Sequence, residues 1–442
     1  MSTEYCLPID VDAAEFASKI TCDQHARNLS LERNELKECR PFMILHIIAS
    51  VDPRGGGPIE GVVQQALKRT GPDFDVQIAS LDAPDDPWVL ACPVKVFALG
   101  QRRNVNKAWA HKIPWYRYGY QSAIVPWLKQ NISRYDVVVV NGLWNYATMA
   151  ARRALVGSGV PYVVFTHGML DPWFKKVAPF KSLLKQIFWL FCEGPLLNSA
   201  NYVLFTTEDE RIVSRRAFLP YRIQERVVGY GTADIAGDAA MQIKTFRQAL
   251  SLPDDRRYLL YLSRIHPKKG VDDLIRAFGE AASNHPGLDL VIAGPDQTEW
   301  IPALKEIAKT YGVESRIHWP GMLTGDAKWG AYRGCEAFIL PSHQENFGIV
   351  VAEALSAGKP VLISNKVQIW REVADAQAGF VDTDDLGGTI RLVRQFIDWP
   401  KSEADMAGER ARKLFLEKFE IKIAVKSIND ALSDAAAPKL TI

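Results

Sequence analysis

Short apolar runs with the length of buried β-strands alternate with helical patterns along most of this chain. In the first half of the chain, such runs lie at 42–50, 75–79, 94–98, 136–141, 162–166 and 202–206. Strands that are separated by helices pair in parallel and are covered by helices on both faces, so this alternation predicts a doubly wound α/β domain. In such sheets, ligands bind outside the carboxyl ends of the strands.

The same alternation begins again after the Gly229-Tyr230-Gly231 segment. The second set of apolar runs lies at 258–262, 288–293, 317–319, 337–340, 360–363 and 379–381. The chain has 442 residues, which exceeds what one hydrophobic core usually organises. We therefore expect two Rossmann-like domains, at 41–228 and 229–415, with an extension at 1–40 and a helical segment at 416–442.

Composition narrows the class of protein. Hydrophobic residues make up 48% of the chain and charged residues 24%, as in ordinary soluble proteins. None of the six cysteines forms a Cys-x-x-Cys pair, which suits a reducing compartment and gives no zinc spacing. No run approaches the ~20 apolar residues of a membrane span, and the first 40 residues lack the apolar centre of a secretory signal. We expect a cytoplasmic protein, free or peripheral on the inner face of the cytoplasmic membrane, with no metal.

Two glutamates eight residues apart, Glu345 and Glu353, flank the start of a predicted helix. Glu345 lies in the loop after a buried strand, and Glu353 lies just over one turn inside the helix, which Gly358 closes. The backbone amides of Phe347 and Gly348 open the helix and can direct unpaired donors at an anion. These residues therefore predict a ligand site at the carboxyl edge of the second sheet.

Two cations, Arg264 and Lys269, follow another strand and lead into a helix. The amino end of a helix already favours a negative ligand. A departing nucleoside diphosphate carries such a charge, and its stabilisation lowers the barrier to group transfer. A solvated basic loop is the alternative interpretation of the same residues.

Glycines lie at two further turns, where the lack of a side chain allows the backbone to come close to a phosphate. Gly55, Gly56 and Gly57 follow the first strand directly, whereas Gly294 begins a turn after the run at 288–293. Ordinary turns are the alternative, because glycine clusters mark loops of many kinds.

His167 stands at the end of a buried strand and is followed at once by Gly168. A histidine in apolar surroundings is often only a satisfied core residue. The strand end points toward the predicted cleft, and we therefore expect His167 to face a ligand.

Residues 101–200 carry thirteen basic and three acidic side chains, a local net charge of +10. Aromatic and basic residues interleave at 109–127 and 173–191. Such amphipathic stretches bind anionic lipid surfaces, although Leu183, Leu184, Ile187 and Leu190 also suit a helix that is buried in the core. We expect no nucleic-acid partner, because no recognition motif accompanies the charge.

The Glu345–Glu353 segment resembles the Glu-x7-Glu signature of the retaining glycosyltransferases of family 4, or glycosyl transferases group 1. The Arg264 to Gly270 segment is similar to the family's Arg-x4-Lys-Gly motif. The resemblance covers about the last two thirds of the chain and the first strand and loop, and it is of the bacterial surface-polysaccharide type. It implies a GT-B fold, in which two Rossmann-like domains face each other across a cleft. It also implies that the final helix crosses back to the first domain.

The resemblance implies roles for the candidate residues. Glu345 contacts the donor sugar, Glu353 holds the ribose, Arg264 and Lys269 hold the diphosphate, and His167 contacts the sugar rather than acting as a base. The residues expected to act in the reaction are thus Glu345, His167, Arg264 and Lys269. The residues expected to bind the donor are Glu353, Phe347, Gly348, Gly294, Gly56 and Gly57.

The expected function is transfer of a sugar, with retention, from a UDP- or GDP-sugar to a glycan acceptor that is lipid-linked, in polysaccharide biosynthesis. No cofactor besides the nucleotide-sugar donor is expected. A GT-B epimerase that acts on a nucleotide sugar and a non-catalytic nucleotide-sugar-binding subunit are the two alternatives.

Overall fold

The computed structural model describes residues 40–55, 57–69, 73–101, 118–171, 179–296 and 298–437. Two sheets whose strands all pair in parallel organise these residues. The first sheet has seven strands in the order β3-β2-β1-β4-β5-β6-β7, and the second has six in the order β10-β9-β8-β11-β12-β13. In both sheets the strand order reverses beside the first strand of the domain. This doubly wound arrangement confirms the predicted fold class.

The first sheet is formed by β1 (Phe42–Ile47), β2 (Phe74–Ser80), β3 (Lys95–Ala98), β4 (Val137–Asn141), β5 (Tyr162–Phe165), β6 (Tyr202–Phe205) and β7 (Glu225–Val227). Its central strand β4 is buried at every position. Val138 and Val140 pack into a core on one face, whereas Val137 and Val139 pack into a core on the other. A strand that is buried on both faces reads as a continuous apolar run, which is why the sequence revealed it.

The described helices of the first domain are α1 (Gly57–Arg69), α2 (Pro87–Leu90), α3 (Ile124–Asn131), α4 (Tyr146–Leu155), α5 (Pro179–Phe188), α6 (Gly194–Asn198) and α7 (Glu208–Ser214). Side-chain caps define where two of them begin. Asn145 accepts a hydrogen bond from the amide of Thr148 at the start of α4, and Thr207 accepts one from Glu210 at the start of α7. A π-helical segment, Trp189–Glu193, joins α5 to α6.

The second sheet is formed by β8 (Arg257–Leu262), β9 (Leu288–Ala293), β10 (Ile317–Gly321), β11 (Ala337–Leu340), β12 (Val361–Ser364) and β13 (Gly379–Asp382). Its helices are α8 (Ala239–Leu250), α9 (Val271–Ala281), α10 (Ile301–Thr310), α11 (Gly325–Gly334), α12 (Ile349–Ser356), α13 (Trp370–Asp375), α14 (Leu386–Ile397) and α15 (Lys401–Leu414). Strands β8, β9, β11 and β12 are almost wholly buried, so helices cover both faces of this sheet.

The last helix, α16 (Ile421–Ala436), packs against α1 and the strands of the first domain. Four polar contacts reinforce this packing. They join Arg69 to Asn429, Asn201 to the carbonyl of Ala435, Arg226 to Asp434, and the amide of Gly229 to Ser427. The chain therefore returns to its first domain after it completes the second.

The strand β7 was not predicted from the sequence. It has three residues, none of them buried, and it forms the edge of the first sheet beside β6. A strand so short and exposed lacks the apolar run that marks the others. Along the residues that the structure describes, no helix combines the length and apolar character needed to cross a bilayer.

Candidate functional site

The loops that follow the carboxyl ends of the two sheets contact each other. The Asn346 side-chain amide donates to the hydroxyl of Thr206 at 3.3 Å, and the Thr207 hydroxyl donates to Gln368 at 3.0 Å. Thr206 and Thr207 follow β6 of the first domain, whereas Asn346 and Gln368 follow β11 and β12 of the second. This edge is where doubly wound sheets bind ligands, so the site lies between the domains.

Lys269 and Glu345 form an ion pair in this interdomain region. Lys269 ends a single 3-10 turn, Pro267–Lys269, and only 7% of it is exposed. Its ammonium also donates to the carbonyl of Gln344 at 3.3 Å. Gly270 has φ of +66°, and a Cβ there would lie 2.2 Å from the carbonyl of Pro341, so only glycine lets this turn pack against the loop after β11.

Arg264 lies at the same sheet edge with an exposed side chain. Its backbone carbonyl accepts a hydrogen bond of 3.1 Å from the Tyr261 hydroxyl, which fixes the loop after β8. Within the described parts of the chain, its guanidinium has no ion-pair or hydrogen-bond partner. Burial raises the pKa of Tyr261, with the Glu345 carboxylate raising it further and Arg264 lowering it. The charges of Arg264 and Glu345 thus both act on the Tyr261 phenol.

Glu353 is 2% exposed on α12, and both of its carboxylate oxygens have partners. The Lys328 ammonium lies 2.5 Å from Oε1, and the Tyr332 hydroxyl donates to Oε2 at 2.9 Å. Burial raises the pKa of Glu353, and the charge of Lys328 opposes that rise. A buried carboxylate that is held by two donors from α11 presents a preorganised acceptor.

The loop residues before α12 leave donors free. Gly348 has φ of +75° and opens the helix, and the amides of Phe347 and Gly348 have no carbonyl partner in the described structure. The Phe347 ring is buried and packs edge-on against Tyr230 at 5.2 Å and Phe419 at 5.5 Å. The Phe347 side chain thus belongs to the interdomain core, and only its backbone is available to a ligand.

Gly294 joins the ends of two neighbouring strands. Its φ is +141°, and a Cβ at this position would lie 1.9 Å from the carbonyl oxygen of Ser263. Its amide donates to the carbonyl of Gly321 at 2.8 Å. The glycine is therefore required by close strand packing beside Arg264. Gly57 is the first residue of α1, whereas Gly56 lies outside the described residues.

His167 follows β5 in the left-handed region, with φ of +48°. Its ring is stacked on Phe165 at 4.5 Å, and its Nε2 lies 3.2 Å from Oδ1 of Asn141. Burial lowers the pKa of His167 to about 3, so the ring is neutral at physiological pH. The first domain therefore contributes an uncharged imidazole to the interdomain region.

Glu210 holds the turn that carries His167, and the sequence interpretation missed it. Its buried carboxylate accepts hydrogen bonds from the hydroxyl of Thr166 at 2.8 Å, the amide of Gly168 at 2.7 Å, and both the amide and hydroxyl of Thr206 at 2.7 Å. The Thr-x-x-Glu spacing of Thr207 and Glu210 is a capping-box pattern, which indicates a helix start and nothing of this wider role.

Asn346 and Gly168 bring the two domains into contact beside His167. A Cβ built on Gly168, which has φ of +74°, would lie 2.8 Å from Cγ of Asn346. Lys328 and Tyr332 are two further residues whose contact with Glu353 the sequence did not indicate. Their separation of 21 to 25 residues from Glu353 has no local signature.

The Asp382-Thr383-Asp384 segment forms a turn after β13. The Arg391 guanidinium donates to Asp382 at 2.6 and 3.0 Å, which lowers the pKa of that carboxyl. In the described portion of the chain, no group of three or more His, Cys, Asp or Glu side chains has a metal-binding arrangement.

The architecture and the interdomain site define a GT-B protein. The structure is similar to that of Anabaena HepE in complex with UDP and glucose, with a TM-score of 0.69 at 16% identity over 89% of this chain and 100% of that one. Residues 242–414 match the family model of glycosyl transferases group 1, and residues 56–231 match that of the glycosyl transferase 4-like domain. The former match lies in the second domain of the chain, and the latter lies in the first.

Curated relatives match parts of the chain. A D-inositol 3-phosphate glycosyltransferase of Acidothermus cellulolyticus is 28% identical over 244 residues, which are 53% of this chain and 53% of that protein. The glycogen synthase of Mycobacterium tuberculosis is 32% identical over 164 residues, which are 37% of this chain and 39% of that protein. The chain thus spans about half or less of the length of these relatives.

Proposed function

We propose that the protein is a retaining glycosyltransferase that moves a sugar from a UDP- or GDP-sugar to an acceptor hydroxyl. The observation that carries the proposal is the convergence of Lys269 and Glu345 at the carboxyl edge of the second sheet. Cations and carboxylates gathered at this edge suit a ligand with an anionic diphosphate and several sugar hydroxyls. The two glycosyltransferase family domains and the UDP bound to HepE support this choice of ligand.

The donor is proposed to bind the second domain, with its diphosphate, ribose and sugar each at a different part of the site. The diphosphate lies between Arg264 and Lys269, beside the free amides of Phe347 and Gly348, and the close turn at Gly294. Glu353 accepts hydrogen bonds from the ribose hydroxyls. To do so, it gives up its hydrogen bond with either Lys328 or Tyr332. Glu345 contacts the sugar hydroxyls, and His167 contacts the sugar from the first domain.

The chemical step needs stabilisation of the charge that develops on the departing diphosphate. Arg264 and Lys269 supply two positive charges, and the backbone amides before α12 add dipoles that need no reorganisation. A phosphate oxygen of the leaving group takes the acceptor's proton in this mechanism, since His167 lies on the sugar side and is assigned no base role. The proposal requires no cofactor besides the donor.

The acceptor is proposed to be a lipid-linked glycan at the inner face of the cytoplasmic membrane, as in polysaccharide assembly. Five large apolar side chains on α5 and the π-helical segment after it support this. Each of these side chains is between 47% and 67% exposed, and they belong to Leu183, Leu184, Ile187, Leu190 and Phe191. The alternative interpretation, a helix buried in the core, is therefore wrong for Leu183, Leu184, Ile187 and Leu190. An exposed apolar row within a basic region suits an anionic lipid surface.

Liposome flotation tests the membrane part. Binding to vesicles of anionic lipid at low salt is expected, and Leu184→Asp with Ile187→Asp should abolish it. Leu416→Asp, which changes a similarly exposed leucine just after α15, should leave it intact. Absence of wild-type flotation at low salt contradicts the membrane assignment and leaves the transferase assignment standing.

Turnover tests the reaction class. Release of free nucleotide that requires an acceptor supports transfer, and retained anomeric configuration in the product supports the retaining course. Interconversion of the sugar without nucleotide release identifies an epimerase, and binding without turnover identifies a non-catalytic subunit. A thermal-shift screen of UDP- and GDP-sugars finds the donor first, because a ligand of the folded state raises its apparent stability.

A further inference from the structure

The carboxamide of Asn141 lies between two imidazole rings at the carboxyl end of β4. Its Oδ1 is 3.2 Å from Nε2 of His167, and its Nδ2 is 3.2 Å from Nδ1 of His46. Nδ2 also lies 3.2 Å from the carbonyl oxygen of Val139 and 3.4 Å from that of Ile47. Asn141 is only 3% exposed, so water does not replace these partners.

The two backbone carbonyls fix the orientation of this carboxamide. Carbonyl oxygens only accept hydrogen bonds, so the amino group of Asn141 must face Val139 and Ile47. A flipped carboxamide would direct Oδ1 at both carbonyl oxygens, so that buried acceptors would face each other with no hydrogen between them, which is costly in the interior. Oδ1 of Asn141 therefore faces His167.

The orientation of Asn141 determines the tautomer of His167. Because Oδ1 only accepts, Nε2 of His167 must carry the ring hydrogen, and in a neutral imidazole Nδ1 then carries a lone pair. Among the described residues, Nδ1 of His167 has no hydrogen-bond partner, and it is not one of the atoms sealed in the interior. The lone pair is thus available at the interdomain site.

We propose that Asn141 is a positioning residue that holds His167 as the Nε2–H tautomer, so that Nδ1 presents a hydrogen-bond acceptor to the donor sugar. Such an acceptor favours a sugar hydroxyl and repels the oxygens of a carboxylate. The site therefore selects neutral sugars over uronic acids at the position that faces His167. The tautomer assignment stands on the geometry of the free protein, whereas the selectivity rests on the proposed function.

The other titratable groups around His167 leave this assignment in place. His46 is buried, and burial lowers its pKa to about 3, so it is neutral. The Tyr230 ring lies 6.5 Å away, and burial raises its pKa. The Glu210 carboxylate is occupied by its four hydrogen bonds to Thr166, Gly168 and Thr206.

Nitrogen NMR of the full chain labelled at its histidine rings tests the tautomer, with the His167 signals assigned by their loss in His167→Gln. A neutral Nε2–H ring is expected from pH 5 to 8, and mixed tautomers are expected in Asn141→Leu. An Nδ1–H ring or an imidazolium at pH 7 in the wild type overturns the proposal, as does a pure Nε2–H ring in Asn141→Leu. The wild-type spectrum decides the matter even if Asn141→Leu does not fold.

Asn141→Asp tests the contact through the titration of the His167 ring, which would not change if Asn141 had only a structural role. Its carboxylate still accepts from Nε2, but its charge favours the imidazolium, so the His167 signals should titrate between pH 5 and 8. Asn131→Asp is the matched control, because Asn131 donates to the carbonyl of Trp127 away from the site. Its His167 signals should remain those of the wild type. An untitrated ring in folded Asn141→Asp contradicts the proposed contact.

Paired nucleotide sugars test the selectivity by calorimetry, with UDP-glucose set against UDP-glucuronic acid and GDP-mannose against GDP-mannuronic acid. The uronic acid of the accepted base should bind at least about tenfold more weakly, the loss expected for one hydrogen bond to a buried partner. Equal affinities overturn the selectivity while the transferase assignment stands. Failure of all four to bind, together with failure of free UDP and GDP to bind, overturns the proposed donor class, and the NMR result is unaffected.

Discussion

Lys269 and Glu345 are paired in space although 76 positions separate them in the sequence. The cation comes from the turn after β8 and the acid from the loop after β11, which are adjacent strands of the second sheet. In the free protein each partly neutralises the other. When a diphosphate and a sugar enter, Lys269 gains a phosphate partner and Glu345 gains hydroxyl partners.

Lys269→Met should lower kcat by roughly 10²- to 10³-fold, since it removes a preorganised charge from the departing diphosphate. The control is Lys401→Met, which breaks the exposed Lys401–Asp405 pair and should leave kcat unchanged. Steady-state nucleotide release in the presence of acceptor measures both. A Lys269→Met enzyme within twofold of the wild type contradicts the assigned role.

Glu353→Gln should weaken UDP or GDP binding about tenfold or more, because hydrogen bonds to a charged acceptor contribute roughly 1.5 to 3 kcal/mol. The substitution keeps the size of the side chain and its place beside Lys328 and Tyr332. Isothermal titration calorimetry with the free nucleotide measures the loss. Glu409→Gln, an exposed acid on α15, should bind as the wild type does. Unchanged affinity in Glu353→Gln rules out the ribose contact.

Gly168→Ala should lower kcat/KM by more than the loss of unfolding free energy alone would explain. Gly159→Ala is the matched control, because Gly159 has φ of +78° with no atom within 4 Å of the added Cβ, whereas the Cβ at Gly168 meets Asn346. Both variants lose about 1 kcal/mol of unfolding free energy from the left-handed backbone. Chemical denaturation and kcat/KM are measured together. Equal kcat/KM for the two variants indicates that the domain contact is not needed for turnover.

Glu193→Gln should stabilise the protein at pH 8 more than at pH 5. Burial raises the pKa of Glu193 to about 7, above its unfolded value of 4.5. The folded state therefore binds this proton more tightly, and the associated stability is present at low pH and lost as pH rises through about 7. Glutamine removes this loss and still accepts from the Trp144 amide and the Thr148 hydroxyl. We expect a gain on the order of 2 kcal/mol at pH 8 relative to pH 5.

Denaturant unfolding at both pH values measures this effect, and Glu409→Gln again serves as the exposed control. A gain for Glu193→Gln that is equal at pH 5 and pH 8 shows that the carboxyl is not titrating between them. The π-helical segment that ends at Glu193 would then stabilise the fold through packing alone.

Local sequence patterns were sufficient for the doubly wound fold of each domain. Each buried strand of the two sheets carries its own apolar run, and cap residues such as Asn145, Thr207 and Asp385 mark several helix starts. The exception is β7, whose half-exposed edge residues pair with β6 only because the rest of the first sheet is already in place.

The candidate site was predicted only in part, because residues at strand ends are local but their partners are not. Glu345, Lys269 and Arg264 were recognisable from their positions after strands. Lys328 and Tyr332 reach Glu353 from a different helix, and their spacing from Glu353 in the sequence does not indicate a contact between the two helices. Their contribution follows from the packing of α11 beside α12.

The sequence by itself determined which segments become strands and helices and which polar residues lie at the strand ends, since hydrophobic periodicity and glycine geometry act over a few residues. The tertiary structure alone decided which charges pair across strands, how Gly168 meets Asn346 between the domains, and which nitrogen of His167 carries the hydrogen. Those outcomes depend on burial and on hydrogen-bond partners from distant segments, and such partners exist only after the chain has folded.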